Sequence, residues 1–297
     1  MTLDGHSVLI TGGGGQLASD IAERLCERCE VAAPGRAELD ITDQSAVDEA
    51  FARLRPAVVF NCAAFHNVNV CEREEDRSFE VNARAVKRLA QLCADGGARL
   101  VHLSTNYVFA GDRDEPYAEG DLPSPRSVYA ISKLAGEHAA LAYCADALVV
   151  RGSGLYGRHG SVSKGGNFVQ RMLTRAREQG ALKMVADQRL TPTYTADLAD
   201  ALIAAVEGGV GGLLHVTNSG ACSWHEFTVA IMEVAGVDVP VEPVRTVRPP
   251  SGADRPLNGV LSCERACEAG VTSLRPWKEA LGDYMASVGQ AAEASLR

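Results

Sequence analysis

Tyr129 and Lys133 stand four residues apart in Tyr129-Ala130-Ile131-Ser132-Lys133. On a helix that spacing puts a phenol and an ammonium on one face, and the chemistry open to such a pair is proton transfer. A phenol with an ordinary pKa of about 10 exchanges protons poorly at neutral pH. A nearby cation favours the phenolate and brings the group toward the working range. The same ammonium can hydrogen-bond a ribose. Solvated helix faces also carry this spacing, so the neighbouring elements must decide. A predicted strand runs into Leu103-Ser104-Thr105-Asn106-Tyr107-Val108-Phe109 shortly before the pair. Its hydroxyls fall at the carboxyl end of the sheet, where open α/β sheets bind ligands. Thr105 or Ser104 is therefore the candidate to hold a substrate carbonyl and tune Tyr129.

A second constellation opens the chain. Val8-Leu9-Ile10-Thr11-Gly12-Gly13-Gly14-Gly15-Gln16-Leu17-Ala18 reads as strand, glycine turn and helix start, with Gly12, Gly15 and Ala18 in the G-x-x-G-x-x-G/A pattern. Glycines allow the tight turn and let a pyrophosphate approach the N–H groups at a helix N-terminus. The third position asks only for a small residue, which Ala18 supplies. A site for NAD prefers a carboxylate near the end of the second strand. Ala32-Ala33-Pro34-Gly35-Arg36 has none, and Arg36 can pair with a 2′-phosphate. NADPH is thus the expected cofactor, with NADH second, and Asp40 is a candidate on the adenine side.

These residues need a frame. Strands are predicted at 7–11, 31–33, 57–63, 99–104 and 147–151, separated by helical periodicity such as Leu17, Ile21, Leu25 and Val86, Leu89, Leu92, Cys93. Strands that are apolar throughout and alternate with helices imply an α/β fold, a Rossmann-type doubly wound parallel sheet. The second half differs. A loop rich in Gly and Ser, expected to be mobile, covers 152–166; a helix follows over 167–179, then strands at 182–186 and 212–217. Ser223 with Glu226 has capping-box spacing for a helix through Val234. A Pro-rich loop spans 244–258, and 290–297 is expected to fray. The predicted division is a cofactor-binding domain over 1–157, with 190–220 returning to it, and a smaller mixed α/β substrate domain from 158–189 and 221–297.

Other residues attract quieter readings. Cys26 and Cys29 have C-x-x-C spacing but no second pair nearby, so neither zinc nor a redox role is expected. His66, His102 and His215 lack ligand spacing; no metal is predicted. Trp224 and Trp277 are read as packing, and Asp187 as a structural hydrogen-bonding residue. The net charge of −9 over 297 residues argues against nucleic-acid binding. Scattered cysteines and the lack of a long apolar run suggest a cytoplasmic protein with reduced thiols and no membrane contact.

Taken together these motifs have a family look. The chain resembles the extended short-chain dehydrogenase/reductases and, within them, the dTDP-4-dehydrorhamnose reductase family. The likeness rests on Thr11-Gly12 through Leu17, Leu39-Asp40-Ile41-Thr42-Asp43, Asn61-Cys62-Ala63-Ala64-Phe65, Ser104 through Phe109, and Tyr129 through Glu137. It continues through Val185-Ala186-Asp187-Gln188, Thr191-Pro192-Thr193-Tyr194, His215-Val216-Thr217-Asn218, Ser223-Trp224, Arg255-Pro256 and Trp277.

The resemblance implies hydride transfer from NADPH to the 4-keto group of a dTDP-linked 6-deoxy-4-keto-hexose. Tyr129 would protonate the alkoxide, Lys133 would hold the ribose and tune Tyr129, and Thr105 would align the carbonyl. Cofactor contacts would fall at Gly12, Gly15, Gln16, Leu17, Arg36, Asp40, Ile41, Cys62, Ala63, Ala64, Phe65 and Leu103. Substrate contacts would fall at Ser104, Thr105, Asn106, Asn69, Gly154 and Arg255, the last at the diphosphate. Asn106 and Asn69 replace Asp residues usual in the family, and Gly154 stands where a large aromatic is common, which leaves the sugar open. Related dehydratases place two carboxylates directly after the Thr; Asn106 and Tyr107 stand there instead. An epimerase of the same fold and a non-catalytic NADP-binding regulatory subunit are the competing readings. A monomer or a homodimer is expected.

Overall fold

The computed structural model describes residues 2–159, 165–247 and 252–294. Parts of both predicted loops (160–164 and 248–251) and the end of the tail lie outside the described residues. Five strands of the first half are β1 (Ser7–Thr11), β2 (Glu30–Ala32), β3 (Val58–Asn61), β4 (Arg99–Thr105) and β5 (Leu148–Gly152). A sixth, Gly212–His215, joins them, and the sheet runs β2-β1-β3-β4-β5 and then this strand, all parallel. β3, β4 and β5 are buried almost end to end because helices cover both faces. The chain winds one way from β1 to β2 and the other way from β3 onward. The switch point lies between β1 and β3, and ligands bind at the carboxyl ends there.

Local chemistry sets the helix starts. Asp43 caps Gln44–Leu54 through the Ala46 N–H, and Ser127 caps Val128–Tyr143 through the Ala130 N–H. Asn167 with Gln170 and Ser223 with Glu226 form complete capping boxes for Phe168–Gln179 and Trp224–Ala235. β3 stops at Asn61, short of the predicted 63, because Asn82 takes over the backbone beyond it. Asn82 accepts from the Phe65 N–H and donates to the Phe65 carbonyl, both at 2.9 Å.

Two apolar clusters sandwich the sheet, one built on Leu17, Ile21 and Leu202, the other on Phe51, Leu89 and Val149. A third centres on Tyr156, Phe227, Trp277 and Tyr284, away from the sheet. Thr195–Glu207 packs on the first helix. Two expectations need correction. The segment 152–166 contains a short strand, Leu155–Tyr156, paired in parallel with Thr193–Tyr194. The last helix, Trp277–Ala294, carries on past Gln290, where fraying was expected.

Candidate active site

The glycine turn sits at the switch point. Gly12 has φ +77°, and a Cβ there would come within 2.8 Å of the Ala63 nitrogen, so β1 and the end of β3 meet through bare backbone. Gly13 is tighter still: its Cβ would stand 2.0 Å from the Ala33 carbonyl oxygen, and its N–H donates to Pro34 O at 2.9 Å. Gly14, at φ +76°, faces open space. The helix Gln16–Leu25 begins without a side-chain cap at Gly15, so its first N–H groups are available to an anion. Gln16 Nε2 donates to Leu155 O at 3.1 Å, and its Oε1 is buried without a hydrogen bond. Leu17 and Ile41 bury their side chains in the two sheet clusters, leaving backbone for any ligand.

Arg36 projects from the turn after β2, its side chain 63% exposed and 3.0 Å from Asp40 Oδ2. Burial would raise the Asp40 carboxyl, but the Thr42 N–H (3.0 Å) and hydroxyl (2.8 Å), and then Arg36, hold it below the usual carboxylate value. Glu38 folds back so that its Oε2 accepts from the Gly35 N–H at 2.8 Å. The Cys62–Phe65 run lies beneath Gly12 and is held by Asn82.

The Val128–Tyr143 helix brings Tyr129 and Lys133 to the end of β4. Thr105 stands close enough to the Tyr129 phenol to lower its pKa, and its hydroxyl also accepts from the Tyr107 N–H at 3.2 Å and lies 3.4 Å from Asn106 Oδ1. Desolvation pushes the Tyr129 phenol well above 10, Thr105 pulls it back in part, and Tyr107 adds to the rise. The Tyr107 ring meets Tyr129 edge to face at 5.9 Å. Burial raises the Tyr107 phenol too, against the charge and hydrogen bond of Arg255. Arg255 also donates to Asn69 Oδ1 at 3.1 Å, so these three predicted or neighbouring residues form one group. Asn106 gives its amide to Gly259 O at 2.9 Å, which ties the strand end to the C-terminal segment. Gly154 has φ +57° and abuts Leu190, whose Cδ1 would lie 2.6 Å from an added Cβ.

Lys133 is buried. Its Nζ donates to Leu103 O and lies 3.3 Å from His102 Nε2. Burial lowers the ammonium to about 8, with Glu137 and Cys62 acting the other way.

Ser104 departs from expectation. Its hydroxyl binds Glu137, not the space beside Tyr129. Adjacent strand residues face opposite ways, so only Thr105 is delivered to the phenol. Glu137 also grips Arg151, accepting from Nε at 2.9 Å and from Nη2 at 2.6 Å, and so clamps the helix to β5. A sequence signal existed for Glu137, which continues the spacing of Tyr129 and Lys133 by one more turn. Asn82 had none. It sits in a π-helical turn, Glu80–Arg84, and reaches Ser132 Oγ at 3.0 Å as well as Phe65.

The RmlD substrate binding domain family matches residues 6–290. The dTDP-4-dehydrorhamnose reductase of Mycolicibacterium smegmatis is 42% identical, over 95% of this chain and 85% of its own. This chain belongs to the RmlD family of dTDP-4-dehydrorhamnose reductases. Another relative at 42% identity is the probable dTDP-4,6-dihydroxy-2-methyloxan-3-one 4-ketoreductase of Streptomyces antibioticus, with 92% of each chain covered. A solved structure of the family, Bacillus anthracis dTDP-4-dehydrorhamnose reductase in complex with NADP, superposes with a TM-score of 0.91. It is 34% identical and matches 95% of this chain and 99% of that one. The Rossmann-type α/β fold expected from the sequence is the fold of this family. Among the described residues no helix is long and apolar enough to cross a membrane.

Proposed function

We propose that this chain reduces the 4-keto group of a nucleotide-linked 6-deoxy-4-keto-hexose, with dTDP as the nucleotide and NADPH as reductant. The observation that carries the reading is the placing of Thr105 beside the buried Tyr129 phenol, where it lowers the phenol's pKa, at the carboxyl edge of a sheet whose switch point holds the Gly12–Gly15 turn. Family membership supports the reaction class, and the NADP-bound relative supports the cofactor.

The residues present suit that cofactor. The uncapped helix start at Gly15 and the side-chain-free turn offer N–H groups to a pyrophosphate. Arg36, exposed and oriented by Asp40, reaches for a 2′-phosphate. Bound there, NADPH supplies a hydride to the keto carbon. Thr105 aligns the carbonyl. Tyr129, protonated at neutral pH, donates its proton to the carbonyl oxygen as negative charge develops. Lys133 holds the ribose. The expected tuning of Tyr129 by Lys133 is not seen, because the ammonium is turned toward Leu103 O and His102 and the phenol's shift comes from burial, Thr105 and Tyr107. Arg255, grouped with Asn69 and Tyr107, takes the diphosphate side. Asn106 uses its N–H on Gly259 O, a bond that a carboxylate cannot make. Together with Gly154 it sets which sugar fits. Ser104 is left out of the substrate site because Glu137 occupies its hydroxyl. The third apolar cluster, which gathers Met172, Leu182, Phe227 and Leu281 away from the sheet, supports a separate unit from 158–189 and 221–297. The packing of Leu198, Leu202, Leu214 and Val216 in the first cluster supports the return of 190–220 to the cofactor domain.

The test is a panel of nucleotide-linked 4-keto-6-deoxy sugars, followed by the loss of reduced-nicotinamide absorbance and identification of the products. Turnover of at least one dTDP-linked member with NADPH is expected. Tight NADPH binding with no turnover across the panel would instead favour a regulatory subunit.

A further inference from the structure

Lys133 stands at the end of a buried file of polar side chains. From its Nζ, His102 Nε2 is 3.3 Å away; His102 Nδ1 is 3.0 Å from the side-chain amide of Asn61, and the other arm of that amide is 2.7 Å from Thr11 Oγ1. Thr11, Asn61, His102 and Lys133 are all buried, and the file crosses β1, β3 and β4 to reach the helix. It begins one residue before Gly12, so it links the glycine turn to the ammonium.

The direction of donation along the file depends on Lys133. An amide's oxygen and nitrogen ends are nearly isosteric, and the orientation follows from the hydrogen-bond network. With Asn61 Nδ2 on Nδ1 and Oδ1 on Thr11, a neutral ring carries its proton on Nε2, aimed at Nζ. Lys133 must then be a free amine. With the amide turned over, Nδ1–H donates to Oδ1, Asn61 Nδ2 donates to Thr11, and Nε2 presents a lone pair. An ammonium has donors only, so this second arrangement is the one that serves charged Lys133. Either arrangement needs a neutral imidazole. Burial first, and then the Lys133 charge, keep His102 well below its ordinary pKa.

We propose that His102 is a positioning residue for the reduction: held as the Nδ1-protonated tautomer by Asn61, it accepts from Lys133 and stabilises the ammonium that faces the ribose. The inference rests on the reading of Lys133 given above. The other groups acting on Lys133 are Glu137 from its own helix and Cys62 from beyond β3, both favouring the charged form, with Tyr129 one helical turn away. Against His102 stand Lys133, the uncharged Asn61 and Gly136, whose missing side chain leaves room beside Nε2.

The test compares His102→Gln with His102→Asn. Glutamine can place its amide oxygen near the Nε2 position; asparagine is too short and retains only the side facing Asn61. The alkaline limb of kcat is expected to move down by about one pH unit in His102→Asn, the scale of a lost hydrogen bond to a charged group. In His102→Gln it should stay within a few tenths of wild type. Thermal midpoints and NADPH affinity should be alike in the two variants. Coincident limbs in the two variants, whether both shifted or both unshifted, would overturn the proposal. Lys133→Met separates the two readings. If it is inactive while the limbs coincide, only the role of His102 fails; if it keeps near-normal kcat, the Lys133 reading fails with it.

Discussion

At the scale of single residues, protonation state decides what each group can do. Tyr129 is held in its protonated form by desolvation, with Thr105 only partly offsetting the effect, which suits a proton donor. Tyr129→Phe is expected to lower kcat by about 10²-fold or more, the scale of general-acid catalysis. NADPH affinity, read by fluorescence titration, should be unchanged, and near-normal turnover would place the proton source elsewhere. Arg36 carries its charge at an exposed site beside Asp40, and its proposed partner is the 2′-phosphate. Arg36→Ala should raise the KM for NADPH about tenfold, the value of a charge-assisted hydrogen bond, and leave the KM for NADH unaltered. Equal changes for both cofactors would remove Arg36 from 2′-phosphate recognition.

At the scale of elements, the glycine turn is a packing joint as well as the proposed pyrophosphate loop. Gly13 lets β1 and the end of β2 touch through backbone, since any Cβ would overlap the Ala33 carbonyl. Gly14 shares the turn but has open space and only its positive φ to defend. Gly13→Ala should therefore cost about 3 kcal/mol through forced backbone movement, against about 1 kcal/mol for Gly14→Ala. Urea midpoints of the two variants measure the difference, and the reverse order would contradict this account of the joint. The Val128–Tyr143 helix depends on similar ties: Ser127 and Glu72 satisfy N–H groups at its start, and Glu137 clamps its middle to Arg151.

At the scale of the whole molecule, two neutral histidines are built into the interior. His102 lies well below its ordinary pKa, and burial, with Arg151 adding to it, lowers His215 to about 3. Below pH 6.5 the unfolded chain binds protons at these sites that the folded chain refuses. The folded state therefore loses stability as pH falls through this window, by up to about 1.4 kcal/mol per pH unit for each histidine. The thermal midpoint should drop measurably between pH 7 and pH 5 in calorimetry. A flat midpoint over that range would mean that the interior accommodates charged imidazole.

Much of this protein is legible along the chain. The turn from Gly12 to Ala18, the strand–helix alternation and the Tyr129/Lys133 spacing are local patterns, written in periods of two and of 3.6 residues and in the steric freedom of glycine. The likeness to the family follows from the same short stretches. Other features depend on the register of parallel strands and on which face a side chain takes. Thr11 and Asn61 are 50 positions apart, Asn61 and His102 41, and His102 and Lys133 31, yet each pair is in contact. Ser104 and Thr105 are neighbours in sequence but point to opposite sides, one to Glu137 and the other to Tyr129. The sequence by itself determined the class of fold and singled out Tyr129 and Lys133 as the proposed proton-transferring pair. Only the tertiary structure decided which groups surround that pair, because burial and strand register, not spacing along the chain, choose a side chain's partners.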